Sequence, residues 1–558
     1  MAVHTIDEHQ LDYRTIGDHS AGVTVLDSRG VTAEVTYAEL DARARGAAGA
    51  LLARGLVPGD RILLPLPTGT DHLTALLGCL LAGFVPCTIV VPGNPDDPAS
   101  TAMRQYAAVV GVTEPAAVIA PDPETAAALA AVPGPTYLSV ADLDHPALPV
   151  GELPVRRPDD PHHIQLTSGS TSAPKAAVLT CAQVTANVRA IHTALDMTPE
   201  RDRVCHWLPL HHDMGFILTL STLTKGVPLD LMPSISFLRD PLSWMRHMSG
   251  RGATITTAPP FGYRTATDRY RRTPDPDLDL SRLRQAYVGA EPIPLGVLTD
   301  FRDTFAKHGF AEETFIPCYG MAETVLAATM ALDRRAAGEL SWGRTKAVRL
   351  DREDLHHNNK VTDCAGDRPS LTVVACGRPL GGLTVEIRDT DGTSLPDDEI
   401  GEIHLRGDFV MAGYLGPGGV PRPLDNRTHA TGDLGFTRDG DLYIVGRVKE
   451  LVIVNGRNLP PYDVEQSIET HPDIDAGNSA VFSHTDDTGE RVTAVVETRV
   501  RADDHDRIRR EVAMLVRQSY GFNLHEVIVL KRGGIPRTTS GKRRRGQLRD
   551  HYLTGGSA

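Results

Sequence analysis

The sequence has 558 residues, with 57 Lys and Arg against 71 Asp and Glu, a formal net charge of -14 that argues against gripping nucleic acid or an anionic membrane surface. Hydrophobic residues at 41% leave material for sizeable cores, and the length suggests three or four domain-sized units. Seven cysteines without paired spacing and a polar, acidic start, "MAVHTIDEHQLDYRT", point to reduced thiols, no secretory signal and a cytoplasmic location.

Thr36 and Glu39 in "TYAEL" form a capping-box pattern that opens an Ala/Arg-rich helix. Gly55 ends it, and a strand over Arg61 to Leu66 follows. The nearly uncharged stretch from His72 to Val91 is long enough to raise the question of a membrane span. Gly78, Gly83 and Pro86 punctuate it, so it reads as a buried helix and then a short strand over Cys87 to Val91, with no span. "AAVIA" is strand-like and "PDPETAAALAAV" helical. Strands separated by helices predict parallel sheets with helices on their faces, an α/β fold.

"HHIQLTSGSTSAPK" follows as a strand entering a hydroxyl-rich turn. Its hydroxyls and turn amides can donate to phosphate oxygens, Gly169 permits tight curvature, and Lys175 adds a cation; the same composition also makes plain loops. It lacks the second glycine of the common G-x-x-x-x-G-K-[ST] nucleotide loop. Farther on, "YVGAEPI" and "CYGMAET" set small residues beside an acid, where a flat ring could lie on backbone and stack on Tyr319. Glu323 is an oxygen ligand suited to Mg²⁺. "TGDLGF" offers Asp433 as an acceptor for ribose hydroxyls. After Gly446 the pattern becomes strand, turn and helix, then "SAVFSH", "VTAVVETRV", an amphipathic helix in "DDHDRIRREVAMLVRQSYG", and "HEVIVL" before a basic, Gly-rich tail carrying Lys542. That is a small α+β unit of roughly 110 residues.

In this order, these motifs resemble the adenylate-forming superfamily of acyl-CoA ligases, peptide-synthetase adenylation domains and luciferases, from about Tyr37 to Arg545. "WLPLHHDMGF", "YGMAETVL", "CGRPLGGLTVEIRD" and "GRVKELVIVNGRNLPPYDVE" look most like its fatty acyl-AMP ligases. The resemblance implies a large N-terminal domain of helix-flanked sheets, residues 1–448, and a small mobile α+β domain, residues 449–558. It also implies an inserted segment at about 344–374, matching the polar run "RTKAVRLDREDLHHNNKVTDCAGDRP".

The reaction the resemblance implies is ATP- and Mg²⁺-dependent adenylation of a carboxylic acid, a fatty acid by the nearest likeness, with an acyl carrier protein as the partner that receives the acyl group. Thr167, Ser168, Gly169, Ser170, Thr171 and Lys175 match the phosphate loop; Gly289, Ala290, Glu291 and Tyr319, with Gly320, Met321 and Ala322, match the adenine-side wall. Glu323 matches the Mg²⁺ ligand, and Thr324 is expected near the α-phosphate. Asp433 matches the ribose-hydroxyl acceptor, Arg447 a second ribose or phosphate contact, Lys449 the hinge, and Lys542 the lysine bridging the attacking carboxylate and the α-phosphate. Catalytic parts fall on Lys542, Glu323, Thr167 and His212, the last at the gate of the acyl pocket. Ala176 and Cys181 stand where relatives usually have glycine and histidine, and Ala258 and Pro260 where they resemble glycine and asparagine. These departures leave the acid open: fatty, aryl, amino or inorganic such as nitrite, with free coenzyme A as an alternative acceptor.

Overall fold

The computed structural model describes residues 11–167, 175–334, 340–341, 345–358, 360–366, 368, 370–416, 421–424, 427–454, 457–475, 477–486, 489–537 and 543–554. Thr36 caps the helix Tyr37–Ala53 in the expected reciprocal manner: its hydroxyl accepts from the Glu39 N–H, and the Glu39 carboxylate accepts from the Thr36 N–H. The strand Arg61–Pro65 follows. The apolar stretch divides into the buried helix Thr70–Leu81, a turn at Gly83 with φ +76°, and a strand that runs over Val85–Ile89, two residues earlier than expected and with Pro86 inside it. No described helix is long and apolar enough to cross a membrane.

Two sheets with parallel interiors organise the N-terminal part. In the first, Val85–Ile89, Arg61–Pro65, Ala117–Ala120 and Thr136–Ser139 all run parallel. The second has nine strands, and Phe315–Gly320, Gln285–Val288, Ile255–Ala258, Val204–His206, Leu229–Leu231 and Gly22–Leu26 are its parallel interior. Antiparallel strands close both of its edges. A separate antiparallel sheet of Leu383–Arg388, Gly401–Gly407, Thr428–Arg438 and Asp441–Arg447 carries Asp433 and Arg447. The hairpin of Pro161–Thr167 and Lys175–Thr180 is extended by Gly413–Leu415, which pairs Tyr414 with Ala177.

In the segment read as an insertion, Ala347–Asp351 pairs antiparallel with Ser370–Val374, and the helix Arg352–Asn358 lies between them. Beyond Lys449, a second apolar cluster gathers around Val464, Ile468, Val481 and Val496. The helix His505–Tyr520 turns Ile508, Val512, Val516 and Tyr520, a four-residue stripe, onto that cluster. The basic tail holds an element to which the sequence reading assigned no structure. Arg545–Leu553 is a helix, with Leu548 buried against Ala480 and Phe482.

Candidate active site

In open α/β sheets, ligand crevices form beyond the carboxyl ends of the parallel strands. Here the chain leaving Val204–His206, Ile255–Ala258, Gln285–Val288 and Phe315–Gly320 reaches His212, Pro260, Glu291 and Glu323. All four line one cavity of about 1450 Å³, together with Thr167, Lys175, Asp433, Arg447, Lys449 and Arg543.

Thr167 ends its strand directly opposite Lys175. Ser168, Gly169, Ser170 and Thr171, in the connection between them, lie outside the described residues, as does Lys542. The Lys175 ammonium sits 4.8 Å from the centre of the Tyr414 ring.

Backbone close-packing shapes the segments expected to form the adenine-side wall. A Cβ at Gly289 would stand 2.8 Å from the Cys318 carbonyl oxygen, and one at Gly320 would stand 1.8 Å from that of Leu326. Ala290 holds a left-handed φ of +69°. Glu291 accepts the Phe261 N–H at 2.9 Å, which ties this loop to the helix Pro260–Arg272. Ala290, Glu291, Tyr319, Gly320, Met321 and Ala322 line the cavity, whereas Gly289 backs it.

Asp433 is 3% exposed, and both of its oxygens are engaged. The Tyr319 hydroxyl donates to one at 2.7 Å and the Arg447 Nε to the other at 2.6 Å. Burial, and then the Asp433 carboxylate, push the Tyr319 phenol well above its ordinary pKa, so it stays a donor. Asp433 likewise holds the Arg447 guanidinium protonated.

Glu323 lies in the turn Ala322–Thr324, and its Oε1 accepts the Tyr414 hydroxyl at 2.5 Å. Thr324, expected near the α-phosphate, instead turns its hydroxyl to the Met321 carbonyl at 3.1 Å, is fully buried and does not line the cavity. Among the described residues, no group of three or more His, Cys, Asp and Glu gathers as a metal cluster. Glu323 lining this cavity together with Lys175 suits Mg²⁺, which takes one or two carboxylates plus substrate phosphates.

His212 holds its Nδ1 2.6 Å from Asp213 Oδ1 at the start of the helix Asp213–Lys225. Burial, and then the neighbouring His212 imidazole, hold His211 down to about 3, so His211 is neutral. Arg537 and Arg543 form an isolated bridge, and the Arg544 N–H bonds the Pro536 carbonyl at 2.8 Å. The buried Glu465 carboxylate accepts Arg545 Nε and Nη2, each at 2.7 Å, and also Arg543 Nη1. Arg545 reaches Glu450, beside Lys449, at 2.7 Å. Sequence reasoning missed Tyr414 and Glu465. The only local signals are the tyrosine of "MAGYLG" and the acid ending "PPYDVE".

This fold and this gathering of residues define an acid-activating ligase of the adenylate-forming type. A family model described as AMP-binding enzyme matches residues 17–415, and one described as Disco-interacting protein 2-like, AMP domain, matches residues 449–557. The chain belongs to the AMP-binding enzyme family. It is 32% identical to a putative acyl-CoA synthetase of Caulobacter vibrioides, over 98% of this chain and 95% of the relative. It is 30% identical to the long-chain-fatty-acid–AMP ligase FadD26 of Mycobacterium marinum, over 95% and 93%. A solved structure from studies of fatty acyl-adenylate ligases of E. coli and L. pneumophila superposes with a TM-score of 0.85 at 30% identity, covering 97% of this chain and 96% of that one.

Proposed function

We propose that this chain activates a fatty acid with Mg-ATP as an acyl-adenylate and passes the acyl group to the phosphopantetheine thiol of an acyl carrier protein, in the cytoplasm, as a step of natural-product assembly. In the first half-reaction a carboxylate oxygen bonds the α-phosphorus and pyrophosphate leaves. In the second, the carrier's thiolate sulfur bonds the acyl carbon, AMP leaves, and the thiol proton passes to solvent.

Bringing two anions together requires charge neutralisation and in-line holding. In this reading Thr167, Lys175 and the loop 168–171 hold the departing pyrophosphate. Ala290, Glu291 and Tyr319 receive the adenine, and Asp433 and Arg447 receive the ribose. His212 borders the acyl pocket, and Lys542 bridges the carboxylate and α-phosphate. Glu323 would hold Mg²⁺, which when bound neutralises phosphate charge. Residues 1–448 and 449–558 act as two domains, the second swinging about Lys449, with 344–374 as the inserted segment.

The strongest support is that Glu323 and Asp433, more than a hundred positions apart in the chain, face one cavity beside Lys175. Mass spectrometry of the protein with Mg-ATP and a panel of fatty, aryl, amino and inorganic acids tests the reading, with coenzyme A or a phosphopantetheinylated carrier added in turn. A fatty acyl-AMP that accumulates with coenzyme A and is consumed by the carrier is expected. A coenzyme A thioester would instead favour the second reading, for which the name of the Caulobacter relative speaks. Adenylation confined to a non-fatty acid would overturn the substrate assignment.

A further inference from the structure

Tyr414 lies outside every motif used above, yet it touches both charged groups on the phosphate side of the cavity. Its hydroxyl donates to Glu323 Oε1 at 2.5 Å, and its ring lies under the Lys175 ammonium at 4.8 Å. Main-chain bonds tie the same segment to both neighbouring elements. The Met411 N–H donates to the Glu323 carbonyl at 2.8 Å, and the Ala412 N–H donates to the Val178 carbonyl at 3.1 Å. Tyr414 pairs with Ala177, two residues beyond Lys175. Residues 411–414 therefore form a crossbar between the turn carrying Glu323 and the strand that opens with Lys175.

We propose that Tyr414 is a positioning residue for the metal–nucleotide: its hydroxyl sets the Glu323 carboxylate, and its ring seats Lys175. The chemistry favours this over a packing role. A carboxylate with one oxygen occupied presents the other in a fixed direction, which suits a cation that demands near-ideal octahedral geometry. Partners that hydrogen-bond a metal ligand typically contribute about 10- to 100-fold to metal affinity. An ammonium over a tyrosine face is held by the ring quadrupole while its protons stay free for phosphate oxygens. The tyrosine meets both residues, and among the described residues Lys175 makes no ion pair with Glu323 that would consume both charges.

The inference rests on Glu323 being the Mg²⁺ ligand, so the test separates the two claims. Calorimetric ATP binding is measured on the full chain with Mg²⁺ and with a chelator, in the parent, Tyr414→Phe, Glu323→Gln and the double variant. In the parent, Mg²⁺ should tighten ATP binding; if it does not, or if Glu323→Gln leaves that gain intact, the metal-ligand reading fails. Tyr414→Phe keeps the ring and removes only the hydroxyl. It should leave chelator-condition binding unchanged and lose about tenfold of the Mg²⁺-dependent gain. On the Glu323→Gln background it should add nothing further. Tyr414→Leu, which also removes the seat of Lys175, should weaken binding in the chelator as well. An unchanged Mg²⁺-dependent gain in Tyr414→Phe, or full additivity with Glu323→Gln, overturns the proposal for Tyr414.

Discussion

Arg352 sets its guanidinium on the fully buried carboxylate of Asp463, with Nη2 2.6 Å from Oδ1 and Nε 2.8 and 3.0 Å from the two oxygens. Its far face lies 4.8 Å from the centre of the Tyr520 ring. Arg352 opens the helix in segment 344–374, whereas Asp463 and Tyr520 lie beyond Lys449, so the pair ties that segment to the C-terminal part of the chain.

Removing one member of a buried ion pair typically costs about 3–5 kcal/mol, because the other charge stays buried. Arg352→Ala should lower the thermal midpoint and speed proteolysis near Lys449. Arg352→Lys should recover little of this, since an ammonium supplies neither the planar fork nor the stacking face. A melting curve and cleavage rate equal to the parent's would exclude this pair as a fastening.

Asp433 gives a prediction about nucleotide affinity. With Tyr319 and Arg447 holding its oxygens, the carboxylate is fixed before ATP arrives. A hydrogen bond to a charged group contributes about 1.5–3 kcal/mol. Asp433→Ala should therefore raise the KM for ATP by roughly 10- to 100-fold in pyrophosphate exchange, with a smaller effect on the KM for the acid. An equal rise in both would show that Asp433 supports the pocket generally and does not contact the nucleotide.

Glu465 sets an acid limit on the C-terminal part. Burial alone would raise its pKa, but Arg545 and Arg543 outweigh it and hold the carboxyl at about 2, against an ordinary 4.5. A depressed folded-state pKa contributes stability that is present above 4.5 and lost as pH falls from there through about 2. Glu465→Gln should be less stable near neutrality by about 3–5 kcal/mol, and its stability should fall less steeply across that acid window. Denaturant unfolding followed against pH checks this. Parallel pH profiles for parent and variant would refute it.

What the sequence disclosed was local. The Thr36 and Glu39 box, the Gly83 break and the alternation after Gly446 each encode an element through neighbours a few positions away, and each stands where expected. The helix Arg545–Leu553 escaped because its basic residues look solvated until Glu465 and Glu450, some 80 and 95 positions earlier, are placed against Arg545. Tyr414 escaped for the same reason: its partners Glu323 and Ala177 are joined to it only by the fold. The strand order of the nine-stranded sheet likewise depends on crossovers that no local pattern records.

Val325 supports a test of strain at the site. It is fully buried, with φ 66° and ψ -61°, and the Leu326 N–H bonds the Thr324 carbonyl across it at 2.7 Å. That is a γ-turn in the rare, strained sense, and a β-branched residue is poorly suited to it. It directly follows the turn carrying Glu323, where stored strain is most readily connected with function. At an ordinary position, replacing a residue with glycine costs about 0.5–1 kcal/mol more than replacing it with alanine. Here both variants lose the buried methyls, but only glycine relieves the positive φ. Val325→Gly should therefore be at least as stable as Val325→Ala in urea unfolding, inverting the usual order. Its freer backbone should also loosen the Glu323 turn and slow adenylation more than the alanine variant does. If alanine proves the more stable by the ordinary margin, the turn carries no strain, and its rigidity comes from packing around Val325 alone.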